Sequence, residues 1–286
     1  MSGFVDHLQL LPVPSRGGVR QPDGEHRPGG LGMPAFAERL EARGWTARVE
    51  DIGFDRRLPE RRIAESYARA IADAIDSAWD RRRFPALLTR VNHGALGAVD
   101  ALGPRGGVLW VSPRTGYAAP SLLRRPDAEA SALAFVTGRA PRDRLAVRPV
   151  RLPADRIVVV GGERTSESER RALEADGARF VGIDGVADAV AGLRADAWYV
   201  HVDASALTGD AAPAADEPGA GGLAPEALAA TIREALGHRP IRCVGLARYD
   251  LNRSGGQDTA DTLVGIVEAA ALAAGGDPRP AATREA

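Results

Sequence analysis

The chain has 286 residues, 44% of them hydrophobic and 26% charged, with 37 basic against 38 acidic side chains and a formal net charge of −1. That length suits one large α/β domain or two small ones, with apolar content for a sizeable core. The charge balance offers no field for nucleic acid or an anionic membrane surface, and no apolar run approaches the length of a transmembrane helix.

The first strand is expected at His7–Val13, which is too short and lacks the basic flank for a signal core. A Gly/Pro/Arg loop, Pro14–Gly32, follows, long enough to be a flap near a site or partly disordered. Pro34–Arg43 reads as a helix with Phe36 and Leu40 on one face, and Trp45–Asp51 as a second strand. Leu58–Arg82 carries Ile63, Tyr67, Ile71 and Ile75 at helical spacing; its end, Arg81–Arg83, is a solvated run favoured by the helix dipole. Phe84–Val91 is a third strand, Gly94–Leu102 a helix of small residues, and Gly107–Ser112 a short, fully apolar strand. The loop Pro113–Pro126 leads to a helix around Ala128–Val136. Arg156–Gly161 is another buried strand, and Ser166 with Glu169 makes a capping box opening the helix Ser166–Asp176. Ala178–Ile183 and Ala197–Val202 are strands with a short helix near Val186–Leu193 between them. Pro240–Ala247 is the last strand and Thr259–Ala273 the last long helix. Residues 1–274 read as one domain, and the tail Gly275–Ala286 should be loose. The single cysteine, Cys243, lies in an apolar run and reads as a buried structural thiol, in keeping with a reducing cytoplasm.

Strands that alternate with helices and are apolar on both faces imply a parallel sheet covered on both sides, here of about eight strands. The stretch Trp198–Ser205 followed by Gly221-Gly222-Leu223 organises the rest. Asp203 ends a buried strand, the usual place for function in an open α/β sheet. A long Ala/Pro/Gly/Asp loop covers it, and Pro225-Glu226 open a helix with Leu228, Ile232 and Leu236 on its apolar face.

These features resemble the arginase/agmatinase (ureohydrolase) family over nearly the whole chain. The family's strand ending Asp-x-Asp, with its loop and Pro-x-x-Gly-Gly-Leu run, is similar to His201-Val-Asp203-Ala-Ser205 and Pro218-Gly-Ala-Gly221-Gly222-Leu223. The segment Val244–Asn252 resembles the family's Asp-x-x-Glu-x-Asn run, and Arg156–Arg164 its strand ending in Gly-x-Arg. The resemblance implies a three-layer α/β/α sandwich with an eight-stranded parallel sheet, and trimers or hexamers. It also implies hydrolysis of guanidino or formimino C–N bonds by a manganese pair that lowers the pKa of a bridging water and stabilises the tetrahedral carbon. Such a pair wants carboxylates with a few imidazoles.

The resemblance also implies where those ligands should stand, and most are replaced. Asn92 falls at the first histidine ligand; a one-residue slip would put His93 there, but Gly97 and the helix register favour Asn92. The Asp-Ala-His-x-Asp segment falls on Ser112-Pro-Arg114-Thr-Gly116. Of the Asp-x-Asp pair Asp203 is kept and Ser205 takes the second place. Glu129 stands at the substrate-side histidine and Asp250 at the late glutamate. Arg114 is therefore expected to replace metal charge and pair with Asp203, since a buried unpaired carboxylate is costly.

The expected centre is metal-free, with no cofactor and with manganese only if the metal site is retained. Asp203, Arg114, Asp250 and Glu129 are the candidate catalytic residues, and Asn92, Ser112, Ser205 and His93 the candidate binding residues. The bland readings are that Asp203 is a structural carboxylate, that His93 and His201 are satisfied or exposed, and that Ser112 is no nucleophile, lacking a Gly-x-Ser-x-Gly elbow and a base. Gly161-Gly162 lacks the spacing of a phosphate loop. Two functions compete: a non-catalytic homologue acting in ligand binding, assembly or regulation, or a hydrolase of a guanidino/amidino C–N bond with altered or metal-independent chemistry. An ordinary manganese ureohydrolase is the third reading. The expected partners are a small-molecule ligand and further copies of the chain or an active paralogue, with no nucleic acid and no membrane.

Overall fold

The computed structural model describes residues 6–13, 32–52, 60–117, 131–139, 152–219, 221–237 and 239–278. Eight strands are present: β1 (His7–Val13), β2 (Thr46–Val49), β3 (Phe84–Thr89), β4 (Gly107–Ser112), β5 (Ile157–Gly161), β6 (Arg179–Val181), β7 (Trp198–Asp203) and β8 (Ile241–Ala247). They form one sheet in the order β2-β1-β3-β8-β7-β4-β5-β6, paired in parallel throughout. The α-helices among the described residues are α1 (Met33–Ala42), α2 (Glu60–Asp80), α3 (Ala95–Leu102), α4 (Ala132–Val136), α5 (Glu167–Ala175), α6 (Val186–Ala191), α7 (Pro225–Leu236) and α8 (Gly256–Ala273).

The helices cover both faces of the sheet, which is why the strands are apolar on both sides. Phe36, Val186, Ile232 and Val267 pack α1, α6, α7 and α8 on one face with Trp198, Val200 and Val202 of β7. Ile71, Val99, Leu133 and Leu173 pack α2, α3, α4 and α5 on the other with Trp110 and Tyr199. Side chains alternate along a strand, so Tyr199, His201 and Asp203 share the second face. Cys243 is buried there as a free thiol, and burial pushes its pKa up, as expected of a structural cysteine.

Differences from expectation are confined to ends. β2 ends at Val49, at the edge of the sheet, where it pairs with β1. α8 starts at Gly256, three residues earlier than expected, because Gly255 turns the chain into the helix at φ 75°. α5 has the expected capping box, with Ser166 Oγ accepting from the Glu169 N–H. The loop 14–31, residues 53–59 (which include 58–59, the expected start of the second helix), residues 118–130 and the expected loose tail from 279 onward lie outside the described residues.

Candidate functional site

The strand order brings the carboxyl ends of β3, β8, β7 and β4 side by side at the centre of the sheet. Asp203 closes β7 and is 1% exposed. Its Oδ1 accepts from the Ser205 N–H at 2.8 Å, capping a single 3-10 turn. Its Oδ2 accepts from Ser112 Oγ, at the end of the neighbouring β4, at 3.0 Å. Among the described residues the nearest cation is Arg248, just past β8, whose Nε lies 3.8 Å from Oδ2. Burial raises the Asp203 pKa, and the Ser205 N–H, Arg248 and the two serine hydroxyls only partly oppose it.

Two residues deeper, His201 is wholly buried. Its Nε2 lies 2.9 Å from Asn92 Oδ1 and its Nδ1 2.9 Å from Tyr199 Oη. The amide oxygen can only accept, so Nε2 carries the proton and Nδ1 accepts from the tyrosine. Trp110 stacks on the ring at 3.8 Å and donates through Nε1 to the Arg114 carbonyl. Desolvation lowers the His201 pKa to about 3, so the imidazole is neutral at physiological pH. Register puts Trp110, His201 and Gly245 in adjacent positions. Tyr199 fills the space beside Gly245, where an added Cβ would lie 2.2 Å from the phenol oxygen.

Above this buried layer lies a rim of arginines and carboxylates. Glu217 takes Arg114 Nη2 at 3.0 Å and Arg164 Nη1 at 2.6 Å on Oε2, and Arg248 Nη2 at 2.9 Å on Oε1. Burial would raise its carboxyl, but the charges of Arg114, Arg248 and Arg164 together outweigh that and hold it below the usual range. The Glu217 N–H donates to Ser205 Oγ, tying the rim to the Asp203 turn. Arg90 pairs with Asp250, while Asp216 sits between Arg253 at 3.2 Å and Arg90 at 3.5 Å. The Asp216 contacts are Coulombic, since its Oδ1 has no aligned hydrogen bond. The loop carrying Asp216 and Glu217 is held by its glycines: an added Cβ at Gly222 would lie 2.5 Å from the Leu207 carbonyl carbon.

The structure thus gathers Asn92, Ser112, Asp203 and Ser205 into one buried neighbourhood, with Arg114 and Asp250 on the rim. The expected Arg114–Asp203 pair is corrected. Arg114 is 56% exposed and turns outward to Glu217, while Asp203 is satisfied by hydroxyls, a backbone N–H and Arg248. The physical reason is burial: the Ser112 hydroxyl and the Ser205 N–H satisfy the carboxylate directly, and Arg248 rather than Arg114 supplies a positive charge beside it. Glu129 and the His93 side chain lie outside the described residues. Sequence reasoning missed Glu217, Arg90 and Arg248; Arg164 stands in the Gly-x-Arg segment noted above.

No protein-family model matches the sequence, and no curated protein matches it in sequence. Solved structures do resemble it. An arginase from Bacillus cereus superposes with a TM-score of 0.76 at 17% identity, covering 93% of this chain and 98% of that one. The fold is that of arginase. An agmatine ureohydrolase of Thermoplasma volcanium gives a TM-score of 0.64 at 14% identity, covering 95% of this chain and 90% of that one. A Trypanosoma cruzi formiminoglutamase with manganese gives 0.68 at 14% identity, covering 93% and 94%.

On this arginase-fold scaffold the described residues do not suit a manganese pair. No three of their His, Cys, Asp and Glu side chains come together in a way that could hold a metal ion. Hard divalent cations want several carboxylate oxygens. Here the buried centre offers one carboxyl, engaged by hydrogen bonds and next to a guanidinium, and one imidazole engaged at both nitrogens.

Proposed function

We propose that this arginase-fold chain is a divergent ureohydrolase homologue that does not carry out dimetal hydrolysis and acts instead by binding a small ligand or by assembly. The observation that carries the reading is the commitment of Asp203 to Ser112 and Ser205. That pattern replaces ligation by internal hydrogen bonding at the position the family resemblance gives to a metal ligand. The resemblance puts Asn92, Ser112, Arg114, Gly116 and Ser205 at the other metal-ligand positions, and none of these is a carboxylate or an imidazole. The competing reading, altered hydrolysis of a guanidino or amidino C–N bond in the same cleft, has poor chemistry to draw on. Asp203 is buried, His201 is neutral and bound at both nitrogens, and Glu217 is held ionised as a weak base among arginines.

Assembly as a trimer or hexamer, or with an active paralogue, in the cytoplasm belongs to the same proposal. Among the described residues no helix is long and apolar enough to cross a membrane. Purified chain supplied with manganese should release no urea above background from agmatine-like or arginine-like substrates. Robust urea release would end this reading.

A further inference from the structure

We propose that Arg114, Arg164 and Arg248 form a binding site for a phosphoryl group, with Glu217 as its built-in competitor. The three guanidinium groups come from the ends of three strands, β4, β5 and β8, and converge on a single partly exposed carboxylate. Strand-end convergence at the centre of an open parallel sheet is where such folds take ligands. One glutamate is a poor match for three cations. Arg114 and Arg164 share Oε2, and Arg248 alone takes Oε1. Of the neighbouring acids, Asp216 is engaged by Arg90 and Arg253, and burial pushes the carboxyl of Asp203 toward the neutral form. A dianionic phosphate offers an oxygen to each guanidinium and twice the charge, and arginine forks suit its geometry.

The backbone supports the cradle. Arg248 is held at φ 63°, a left-handed conformation that costs a non-glycine residue energy. Its carbonyl accepts the Asp216 N–H, and Tyr249 pairs with Ala215, so the Glu217 loop and Arg248 are fixed against one another. Arg164 is set by its own N–H donating to the Pro113 carbonyl at 2.8 Å, beside Arg114. The cradle faces solvent, with Arg164 35% and Glu217 37% exposed, so a ligand has access without opening the core.

This deepens the ligand-binding reading above and rests on it, but its test measures neither metal nor turnover. The full chain is titrated calorimetrically with inorganic phosphate, with phenyl phosphate, and with glutarate as a carboxylate dianion, at pH 7.5 and low salt. Glu217→Gln removes the competing charge and should tighten phosphate binding at least tenfold. Arg164→Gln in the Glu217→Gln background should remove that gain, and Arg114→Gln checks the same cradle at a solvent-exposed side chain. Thermal melts of each variant establish folding. Tighter binding of phenyl phosphate than of free phosphate marks a phosphate monoester as the ligand class, and the reverse marks the free ion. Phosphate binding in no variant, binding unchanged by Glu217→Gln, or glutarate binding as tightly as phosphate overturns the proposal. Urea release with phosphate binding intact would sink the non-catalytic reading and leave the cradle standing.

Discussion

Replacing His201 by Gln tests the buried relay through its pH dependence. The imidazole pKa falls from 6.5 to about 3 on folding. The unfolded chain therefore takes up a proton below pH 6.5 that the folded chain refuses until about pH 3. The stability this neutral histidine protects is complete above pH 6.5 and is lost as pH falls toward 3. At 1.36 kcal/mol per unit the whole effect is about 5 kcal/mol, of which about 3 kcal/mol is lost by pH 4. Gln keeps polar atoms near Tyr199 and Asn92 but loses the stack on Trp110, so the variant should be about 2–4 kcal/mol less stable at pH 8. Urea unfolding of both proteins at pH 8, 6, 5 and 4 then reads the gap between them. The gap should narrow by about 3 kcal/mol between pH 8 and pH 4. A gap that stays constant, or a His201 imidazole seen by NMR to titrate near its ordinary value, would refute the reasoning.

Asp203→Asn should change stability at neutral pH by no more than about 1 kcal/mol, because it removes a buried charge while keeping an acceptor for the Ser205 N–H. The folded carboxyl has a raised pKa, so wild type should gain on the variant as pH falls through that value toward the unfolded one; a loss of several kcal/mol at pH 7.5 would contradict this. Gly245→Ala places a Cβ 2.2 Å from Tyr199 Oη and should cost about 1–3 kcal/mol by overpacking, with Tyr199→Phe in the same chain recovering part of it. Unfolding midpoints of the two variants settle the point, and no recovery would mean that the contact is not the cause.

The legible parts of this molecule were those written in local pattern. Apolar runs such as Gly107–Ser112 and Trp198–Val202 marked strands buried on both faces, and Ser166 with Glu169 marked a helix start. Asp203 stood out because strand ends carry function in such folds. Its partners did not, because they depend on strand order. Ser112 reaches Asp203 only because β4 and β7 are neighbours, although α4, β5, α5, β6 and α6 lie between them in the chain. Arg114 was legible as a cation at a strand end, but a long, exposed side chain can serve any acid within reach, and Glu217 lies nearer the rim. Glu217 itself sits in an Ala/Pro/Gly loop with no periodicity, and Arg248 depends on a left-handed turn that no residue type announces.

The central claim is that an arginase fold here holds a centre without the donors for two manganese ions. The most direct measurement is the metal content of the full chain by elemental analysis, after purification with manganese present and desalting, on protein of known oligomeric state. Well under one manganese per chain is the predicted result. About two per chain would contradict the account, and would mean that residues outside the buried Asp203–Ser112–Ser205 cluster complete a metal site.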